Sequence, residues 1–161
     1  MVLLACSKSH SVAPTPPPMT PPDTTTSTTP ALPAQYGTPF TGVPDPRDVT
    51  IYQVNIRAFS STHDLQGVIN RLGQIKALGV NVIYLMPVYP VGVYKSINSP
   101  YCIRSFDSVG AGYGTLTDLR NLVDGAHSMN MTVIMDWVVN QTSWDHPWIT
   151  QHPDWYLHDA G

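Results

Sequence analysis

The sequence contains no glutamate, and all 11 of its acidic residues are aspartates. Charged side chains make up only 12% of its 161 residues, with 8 lysines and arginines and a net charge of −3. Because so few basic residues cannot neutralise a run of phosphates, nucleic acid is not expected as a partner. No stretch reaches the roughly 18 consecutive apolar residues of a membrane-spanning helix.

Cysteine is equally scarce, with Cys6 near the start of the chain and Cys102 in its second half. Because Cys6 lies in a leader and Cys102 in a predicted loop, we infer no disulfide framework. The stretch Leu3-Leu4-Ala5-Cys6 resembles the lipobox of bacterial lipoproteins, in which the signal is cut before a cysteine that is then lipidated. The residues before Cys6 are too few for the apolar core of about 7–15 residues that a secretory signal needs.

We therefore interpret residues 1–7 as a truncated lipoprotein signal with Cys6 as its lipidation site; the alternative is a chance apolar start. Residues 8–46 are predicted to be a disordered Pro/Thr-rich linker, because residues 1–46 hold 11 of the 16 prolines and little that is apolar. A lipidated chain end with a tether would place the rest of the protein on a membrane surface. The expected location is extracytoplasmic, as a lipoprotein of the bacterial cell envelope.

From residue 47 onward, segments of strand character alternate with segments of helical periodicity. The predicted elements are a strand and its exit loop over Asp48–Phe59, a helix over Asp64–Leu78, a strand over Val80–Met86, a long irregular loop over 87–115, a helix over Thr117–Met129 and a strand over Thr132–Met135. Gly79 is predicted to end the first helix, Thr117 to cap the second, and Asn130 to take the left-handed position after it. The alternation predicts an α/β fold with a parallel sheet and right-handed crossovers.

The segment Met131–Trp148 concentrates the residue types of a functional site. Its predicted strand ends at Asp136, Asn140 follows in the same loop, and the chain then becomes polar and aromatic. Parallel α/β proteins build their sites in loops at the carboxyl ends of strands. We therefore predict a binding site here; the alternative is that Asp136 and Asn140 only cap the end of a strand.

Five stretches together resemble the catalytic domain of the α-amylase family, glycoside hydrolase family 13. They are IYQVNIRAF, LGVNVIYLMPVYPVG, SPYCIRSF, YGTLTDLRNLVDGAH and MTVIMDWVVNQTSWDHPW, which follow the family's order from Ile51 to Trp148. The resemblance implies that residues 47–161 form about three βα units, the N-terminal part of a (β/α)8 TIM barrel. It also implies hydrolysis of α-glucosidic bonds with retention of configuration.

The family motif Asp-x-x-x-Asn-His assigns roles to this segment by resemblance. Asp136 corresponds to an aspartate that orients groups around the sugar, and Asn140 to an asparagine that helps to hold a structural calcium ion, for which an amide oxygen is a suitable ligand. Gln141 replaces a sugar-binding histidine and can still donate a hydrogen bond to a hydroxyl. Tyr101 corresponds to the tyrosine that stacks under the sugar; an ordinary loop aromatic is the alternative.

Other residues near the predicted site depart from the family pattern or have simpler interpretations. Ser105 replaces an aspartate, and Gly110-Ala111-Gly112 replaces a turn that contains Asn-Pro. We interpret the tryptophans chiefly as packing residues, with sugar contact as the alternative, and three histidines as loop residues. The tryptophans are Trp137, Trp144, Trp148 and Trp155, and the histidines are His146, His152 and His158.

The catalytic pair of the resembled family is absent from the sequence, because its nucleophile lies in a Gly-x-Arg-x-Asp motif and its general acid is a glutamate. We expect both residues to lie beyond Gly161. The prediction is therefore an N-terminal fragment of a monomeric enzyme that acts on starch or maltooligosaccharides, with the remainder lost through an incomplete sequence or a frameshift. The 161 residues alone are expected not to hydrolyse α-1,4-glucans. The alternatives are a non-catalytic glucan-binding lipoprotein and an inert remnant.

Overall fold

The computed structural model of the protein describes residues 36–157. The predicted lipidation site Cys6, the signal over residues 1–7 and most of the predicted linker lie outside the described residues, as does His158. From Thr38 onward the described chain belongs to one compact unit.

The compact unit begins at Thr38, before residue 47, which was the predicted start of the barrel. Phe40 stacks on the ring of His127, with ring centroids 4.1 Å apart and the planes only 6° from parallel. At Gly42 the backbone passes so close to the side chain of Asn130 that a Cβ atom would clash with it. The last residues before β1 therefore pack against the end of a helix rather than extending away from the domain.

A three-stranded parallel sheet with the order β1-β2-β3 forms the centre of the fold. The elements are β1 (Ile51–Val54), α1 (Ile56–Phe59), α2 (Leu65–Ile69), α3 (Leu72–Ala77), β2 (Val82–Leu85), α4 (Leu116–Ser128), β3 (Thr132–Met135) and α5 (Trp148–Gln151), with 3-10 turns at Pro46–Asp48 and Pro153–Trp155. The predicted parallel α/β order is confirmed, and β3 has the predicted bounds. None of the helices described over residues 36–157 has the length and apolar character that a membrane crossing requires.

The helices cover one face of the sheet and leave the other open. Because side chains alternate along a strand, Tyr52, Ile83 and Val133 lie side by side on the covered face. The core contains Val54, Ile56, Leu65, Val68, Leu72, Ile75, Val80, Ile83, Leu85, Val88, Tyr113, Leu122, Ala126 and Met131. On the opposite face, Ile51 and Ile134 remain 54% and 39% exposed.

The helix predicted over Asp64–Leu78 is divided into α2 and α3. Asp64 caps α2, since its Oδ1 accepts the N–H of Gly67 at 2.8 Å, and Gly79 ends α3 with φ +82° as predicted. Between the two helices, Arg71 leaves helical geometry and places its guanidinium 5.4 Å from the centre of the Phe59 ring. The apolar periodicity continues across the break because both helices still face the core.

The cap of α4 lies at Thr115, and the prediction of Thr117 is wrong. Thr115 Oγ1 accepts the N–H of Asp118 at 3.2 Å, while Asp118 Oδ2 accepts the N–H of Thr115 at 2.7 Å. This reciprocal capping box satisfies two backbone donors at the helix start and lowers the pKa of Asp118, chiefly through hydrogen bonds with Thr115. At the other end, Asn130 adopts φ 54°, which confirms its predicted left-handed conformation.

Replacing Thr115 with alanine is expected to destabilise the protein by about 1 kcal/mol, because the N–H of Asp118 loses its acceptor at the start of α4. The matched control is Thr117→Ala, which removes an exposed threonine inside the same helix and should change stability by less than about 0.5 kcal/mol. Denaturant unfolding followed by circular dichroism measures both changes. Equal effects of the two substitutions would contradict the assignment of the cap.

Candidate sugar-binding site

The carboxyl ends of the three parallel strands meet at one edge of the sheet, and Asp136 stands at this edge directly after β3. Its backbone N–H donates to the carbonyl of Leu85 at 2.8 Å, which extends the pairing of β2 and β3 by one residue. By strand alternation the side chain of Asp136 belongs to the same face as Tyr84 and Ile134, the face that the helices leave open. The local structure thus presents a half-buried carboxylate at the end of the sheet.

Tyr101 donates a hydrogen bond to this carboxylate, and Tyr84 lies on the same face of the sheet. Tyr101, in the long loop after β2, places its hydroxyl 2.9 Å from Asp136 Oδ2. Hydrogen bonding to Asp136 raises the pKa of Tyr101 and of Tyr84, and burial of the phenols adds to the rise. The two phenols thus approach Asp136 from β2 and from the loop after it, and the predicted sugar-binding roles of Tyr101 and Asp136 stay predictions.

Replacing Asp136 with asparagine is expected to return the pKa of Tyr101 and Tyr84 toward the ordinary value of 10.0, since the charged acceptor is lost. A folded-state pKa above the unfolded value stabilises the protein below about pH 10, and this stabilisation disappears as the pH rises through the raised values. In the Asp136→Asn variant, the free energy of unfolding should therefore fall less steeply as the pH rises above about 10. NMR titration of ring-labelled tyrosine measures the shift, with Asp107→Asn as a control that leaves both tyrosines unchanged.

Asn140 and Gln141 follow Asp136 in the same loop and contact each other. Asn140 Nδ2 donates to Gln141 Oε1 at 3.0 Å, and both side chains are exposed. Within residues 36–157 no hydrogen bond joins this pair to Tyr101 or Asp136. The structure therefore brings together Tyr101 and Asp136, whereas Asn140 and Gln141 form a separate pair whose predicted roles in calcium and sugar binding stay predictions.

The described residues do not by themselves build a calcium site. Calcium takes about six to eight oxygen ligands, commonly including several carboxylates. Asn140 offers one amide oxygen, and residues 36–157 contain no group of three or more His, Cys, Asp or Glu side chains that could hold a metal ion. Asp145 is the next carboxylate along the chain, and Arg104 lies 3.5 Å from its Oδ2. Because this guanidinium would repel a cation beside Asp145, the two residues do not complete a site around Asn140.

Asp145 instead connects the loop after β2 to the segment after β3 through a hydrogen bond. Its Oδ2 accepts the N–H of Val93 at 3.0 Å, and this bond is the main reason why the pKa of Asp145 is lowered. Gly92 is buried against Ser143 and Asp145, with no room for a side chain. The same two segments carry Tyr101 and Asp136, so this contact helps to hold the two halves of the site together.

The tryptophans divide into exposed and packed residues. Trp137 and Trp144 are 65% and 66% exposed, so the packing interpretation is wrong for them within the described chain. Trp148 does pack, stacking on Phe106 at 5.5 Å and lying 4.5 Å from the ring of His146. Trp155 is also largely exposed, although its ring stacks on a loop histidine. His146 lies in a loop as predicted but is buried there, which lowers its pKa.

The departures at Ser105 and at residues 110–112 both lie in turns. Ser105 Oγ accepts the N–H of Asp107 at 3.2 Å, a local bond that a short hydroxyl side chain makes readily. The turn over residues 110–112 closes through the N–H of Tyr113, which donates to the carbonyl of Gly110 at 2.8 Å. Neither departure disturbs the contact between Tyr101 and Asp136.

The family model described as alpha amylase, catalytic domain, matches residues 35–158. The chain belongs to the α-amylase family. Its described part corresponds to the N-terminal part of the TIM barrel of α-amylase structures, which confirms the predicted fold class. The edge that carries Tyr101 and Asp136 is formed by the carboxyl ends of parallel strands, the end at which TIM barrels in general build their sites.

Several relatives of this α-amylase family member are similar over most of its described length. A probable oligo-1,6-glucosidase 2 of Bacillus subtilis is 34% identical over 110 residues, 65% of this chain and 19% of that protein. Alpha-amylase 3 of Dictyoglomus thermophilum is 33% identical over 115 residues, covering 68% of this chain and 22% of that protein. The crystal structure of an α-amylase from Lactobacillus plantarum superposes with a TM-score of 0.69 at 38% identity, over 71% of this chain and 28% of that one. The chain thus spans about a fifth of the length of the curated relatives it matches.

The catalytic pair has no counterpart among the residues placed at this edge of the sheet. Gly161, beyond which the nucleophile and the general acid are predicted to lie, is outside the described residues. The position of the pair therefore stays a prediction. Over residues 36–157, Asp136 is the carboxylate that the structure brings to Tyr101.

Tyr84, which interacts with Asp136, was not predicted from the sequence. Tyr84 lies inside the apolar run of β2, so the sequence pattern predicts that its ring belongs to the core. The signal in the sequence was strand alternation together with the hydroxyl group, because a half-buried tyrosine usually directs its hydroxyl to a polar partner. Tyr84 pairs with Ile134 in the strand register. Asp136 follows Ile134 by two residues and therefore lies on the same face of the sheet as Tyr84.

Proposed function

We propose that this chain supplies the first three βα units of a barrel that hydrolyses α-glucosidic bonds in α-1,4-glucans, and that Tyr101 and Asp136 form part of its sugar-binding floor. The hydrogen bond between these two residues, at the carboxyl ends of parallel strands in an α-amylase family member, is the observation that carries the proposal. A carboxylate accepts bonds from sugar hydroxyls, and an aromatic ring suits the apolar face of a pyranose. Two of the curated relatives are a probable oligo-1,6-glucosidase and an alpha-amylase, which supports an α-glucan substrate.

Retaining hydrolysis needs two carboxyl groups about 5–5.5 Å apart, one as nucleophile and one as general acid. Both carboxyl groups of that pair must face the scissile bond, whereas Asp136 is held by two tyrosines and has no carboxylate partner among the described contacts. The sequence offers no glutamate for the acid. We therefore assign Asp136 to substrate binding and expect the 161 residues alone to be inactive.

The test is binding of maltotriose to the 161-residue chain, measured by isothermal titration calorimetry. Tyr101→Ala is expected to weaken binding by about tenfold, because a stacked aromatic contact contributes roughly 1 kcal/mol or more. Ile97→Ala, which alters a side chain that is almost fully exposed in the same loop, is the matched control and should bind like the parent chain. Unchanged binding by Tyr101→Ala would remove Tyr101 from the site, and release of reducing sugar by the chain would contradict its assigned inactivity.

A second candidate function is glucan binding without hydrolysis, favoured by an exposed aromatic cluster made of Tyr94, Lys95 and Trp144. Lys95 Nζ lies 5.3 Å from the centre of the Tyr94 ring and 5.1 Å from that of Trp144. The lysine contacts both rings while Tyr94 and Trp144 stay 59% and 66% exposed, so aromatic surface is accessible for stacking on sugars. Sequencing the gene beyond codon 161 separates the candidates: an open frame containing Gly-x-Arg-x-Asp and a later glutamate supports hydrolysis.

A further inference from the structure

A cleft of about 410 Å³ lies beside the carboxyl ends of β1 and β2 and has no role in the proposed sugar site. It is lined by Arg57, His63, Tyr89, Pro90, Val91, Asn98, Gly110, Ala111, Gly112 and Tyr113. The lining contains a guanidinium and an imidazole but no carboxylate. Arg57 therefore gives the lining of the cleft its formal positive charge.

The guanidinium of Arg57 has no carboxylate partner among the described residues. It donates to the hydroxyl of Tyr113 and to the backbone carbonyl of Asn98, both neutral acceptors. By contrast, the ion pairs described for this chain join Arg47 to Asp45 and Arg104 to Asp145. Arg57 is half-buried and lines the cleft. Of the five N–H donors of its guanidinium, two make the hydrogen bonds described above, so donors remain for a ligand.

The turn over residues 110–112 lines the same cleft and adds backbone donors to it. Gly110 and Tyr113 use their N–H groups to close the turn, donating to the carbonyls of Val88 and Gly110 at 2.8 Å. The N–H groups of Ala111 and Gly112 make no hydrogen bond within residues 36–157. Successive free N–H groups in a turn form a concave surface that attracts anions.

We propose that this cleft binds a phosphate group, with Arg57 and the N–H groups of Ala111 and Gly112 as its principal donors. Arginine forms two parallel, charge-assisted hydrogen bonds with a phosphate, and backbone N–H groups supply further donors. The side chains of His63 and Asn98 line the same space. An uncharged glucan has no group that requires this cation, so the cleft extends recognition beyond the proposed substrate, either to a phosphorylated sugar or to free phosphate.

Gly112 allows a test that leaves Arg57 and its partners untouched. A Cβ atom at Gly112 would meet no atom within 4 Å, and its φ is not in the left-handed region, so Gly112→Asp is compatible with the fold. Because Gly112 lines the cleft, the introduced carboxylate would add a negative charge at its wall and repel an anion. Gly73→Asp is the matched control, because it adds the same charge on α3 at another position where a Cβ atom meets no neighbour.

The experiment is a titration of the full 161-residue chain with inorganic phosphate, at an ionic strength held constant with sodium chloride. We expect saturable binding that Gly112→Asp weakens by about tenfold or more, because like charges in one site repel strongly. Gly73→Asp should change affinity by less than about twofold, since an exposed distant charge is screened. His63→Asn is a second variant, expected to weaken binding by about threefold through loss of the imidazole, since asparagine accepts the φ of 58° that His63 adopts.

The outcomes distinguish the source of the phosphate and keep this proposal separate from the sugar-binding one. Tighter binding of glucose 6-phosphate than of inorganic phosphate identifies a phosphorylated sugar as the ligand; equal binding identifies free phosphate. No saturable phosphate binding by the parent chain, or equal binding by the Gly112→Asp and Gly73→Asp variants, overturns the proposal. Maltotriose binding measured on the same samples tests Tyr101 and Asp136 independently, because neither residue lines the cleft.

Discussion

Ile83→Ala is expected to destabilise the protein by about 2–5 kcal/mol, which is a large share of the roughly 5–15 kcal/mol that stabilises an ordinary domain. Ile83 lies in the central strand, fully buried, with Tyr52 and Val133 beside it in register. Removing its side chain loses apolar burial and leaves a cavity that the two flanking strands cannot collapse to fill. Unfolding in guanidinium chloride, followed by circular dichroism, measures the loss.

The control for this substitution is Ile97→Ala, which removes the same atoms from a side chain that is 89% exposed. We expect a change within about 0.5 kcal/mol, since little apolar area is buried there. A similar destabilisation by both variants would contradict the position of the core on the helix-covered face of the sheet.

Gly92→Ala is expected to destabilise the protein by about 1–3 kcal/mol, because the added methyl group overpacks a buried contact. The new Cβ atom would lie 2.6 Å from Asp145 Oδ1 and closer still to Ser143, both in the segment after β3. Separating these segments removes the bond from the Val93 N–H to Asp145. The pKa of Asp145 should then rise toward its ordinary value of 3.8, since that bond is the main cause of its lowering.

Gly73→Ala provides a control with an effect of opposite sign. Gly73 lies inside α3, where a Cβ atom meets no neighbour and alanine favours the helix by about 0.5–1 kcal/mol. In the same unfolding assay we therefore expect Gly73→Ala to stabilise the protein and Gly92→Ala to destabilise it. Stabilisation by Gly92→Ala would show that the loop after β2 is not held against Ser143 and Asp145.

Local sequence patterns predicted the elements well where one signal dominated. The left-handed residues Gly79 and Asn130 end their helices because few other residue types accept that conformation cheaply. The cap of α4 was misplaced although Thr115 and Asp118 have the spacing of a capping box, a signal that the sequence contains. The break before α3 had no comparable signal, since neither glycine nor proline occurs there.

The sequence was enough to predict which residues form the candidate site, but not which of them contact each other. The end of β3 and the family motif were enough to select Asp136, and resemblance selected Tyr101. Their hydrogen bond joins positions 35 residues apart and depends on the path of a long irregular loop. Exposure of Trp137 and Trp144 was equally unpredictable, because burial of a loop aromatic depends on which surfaces happen to pack against it.

The sequence by itself determined the α/β alternation, the order of the elements, the acidic residue at the end of β3 and the lack of any glutamate, since these follow from short-range pattern and composition. Only the tertiary structure decided that Tyr84 and Tyr101 share one carboxylate, that Gly92 packs against Ser143, and that Arg57 faces a cleft without a carboxylate. Those features arise where segments distant in sequence meet, and their energies depend on distances that periodicity and propensity do not encode.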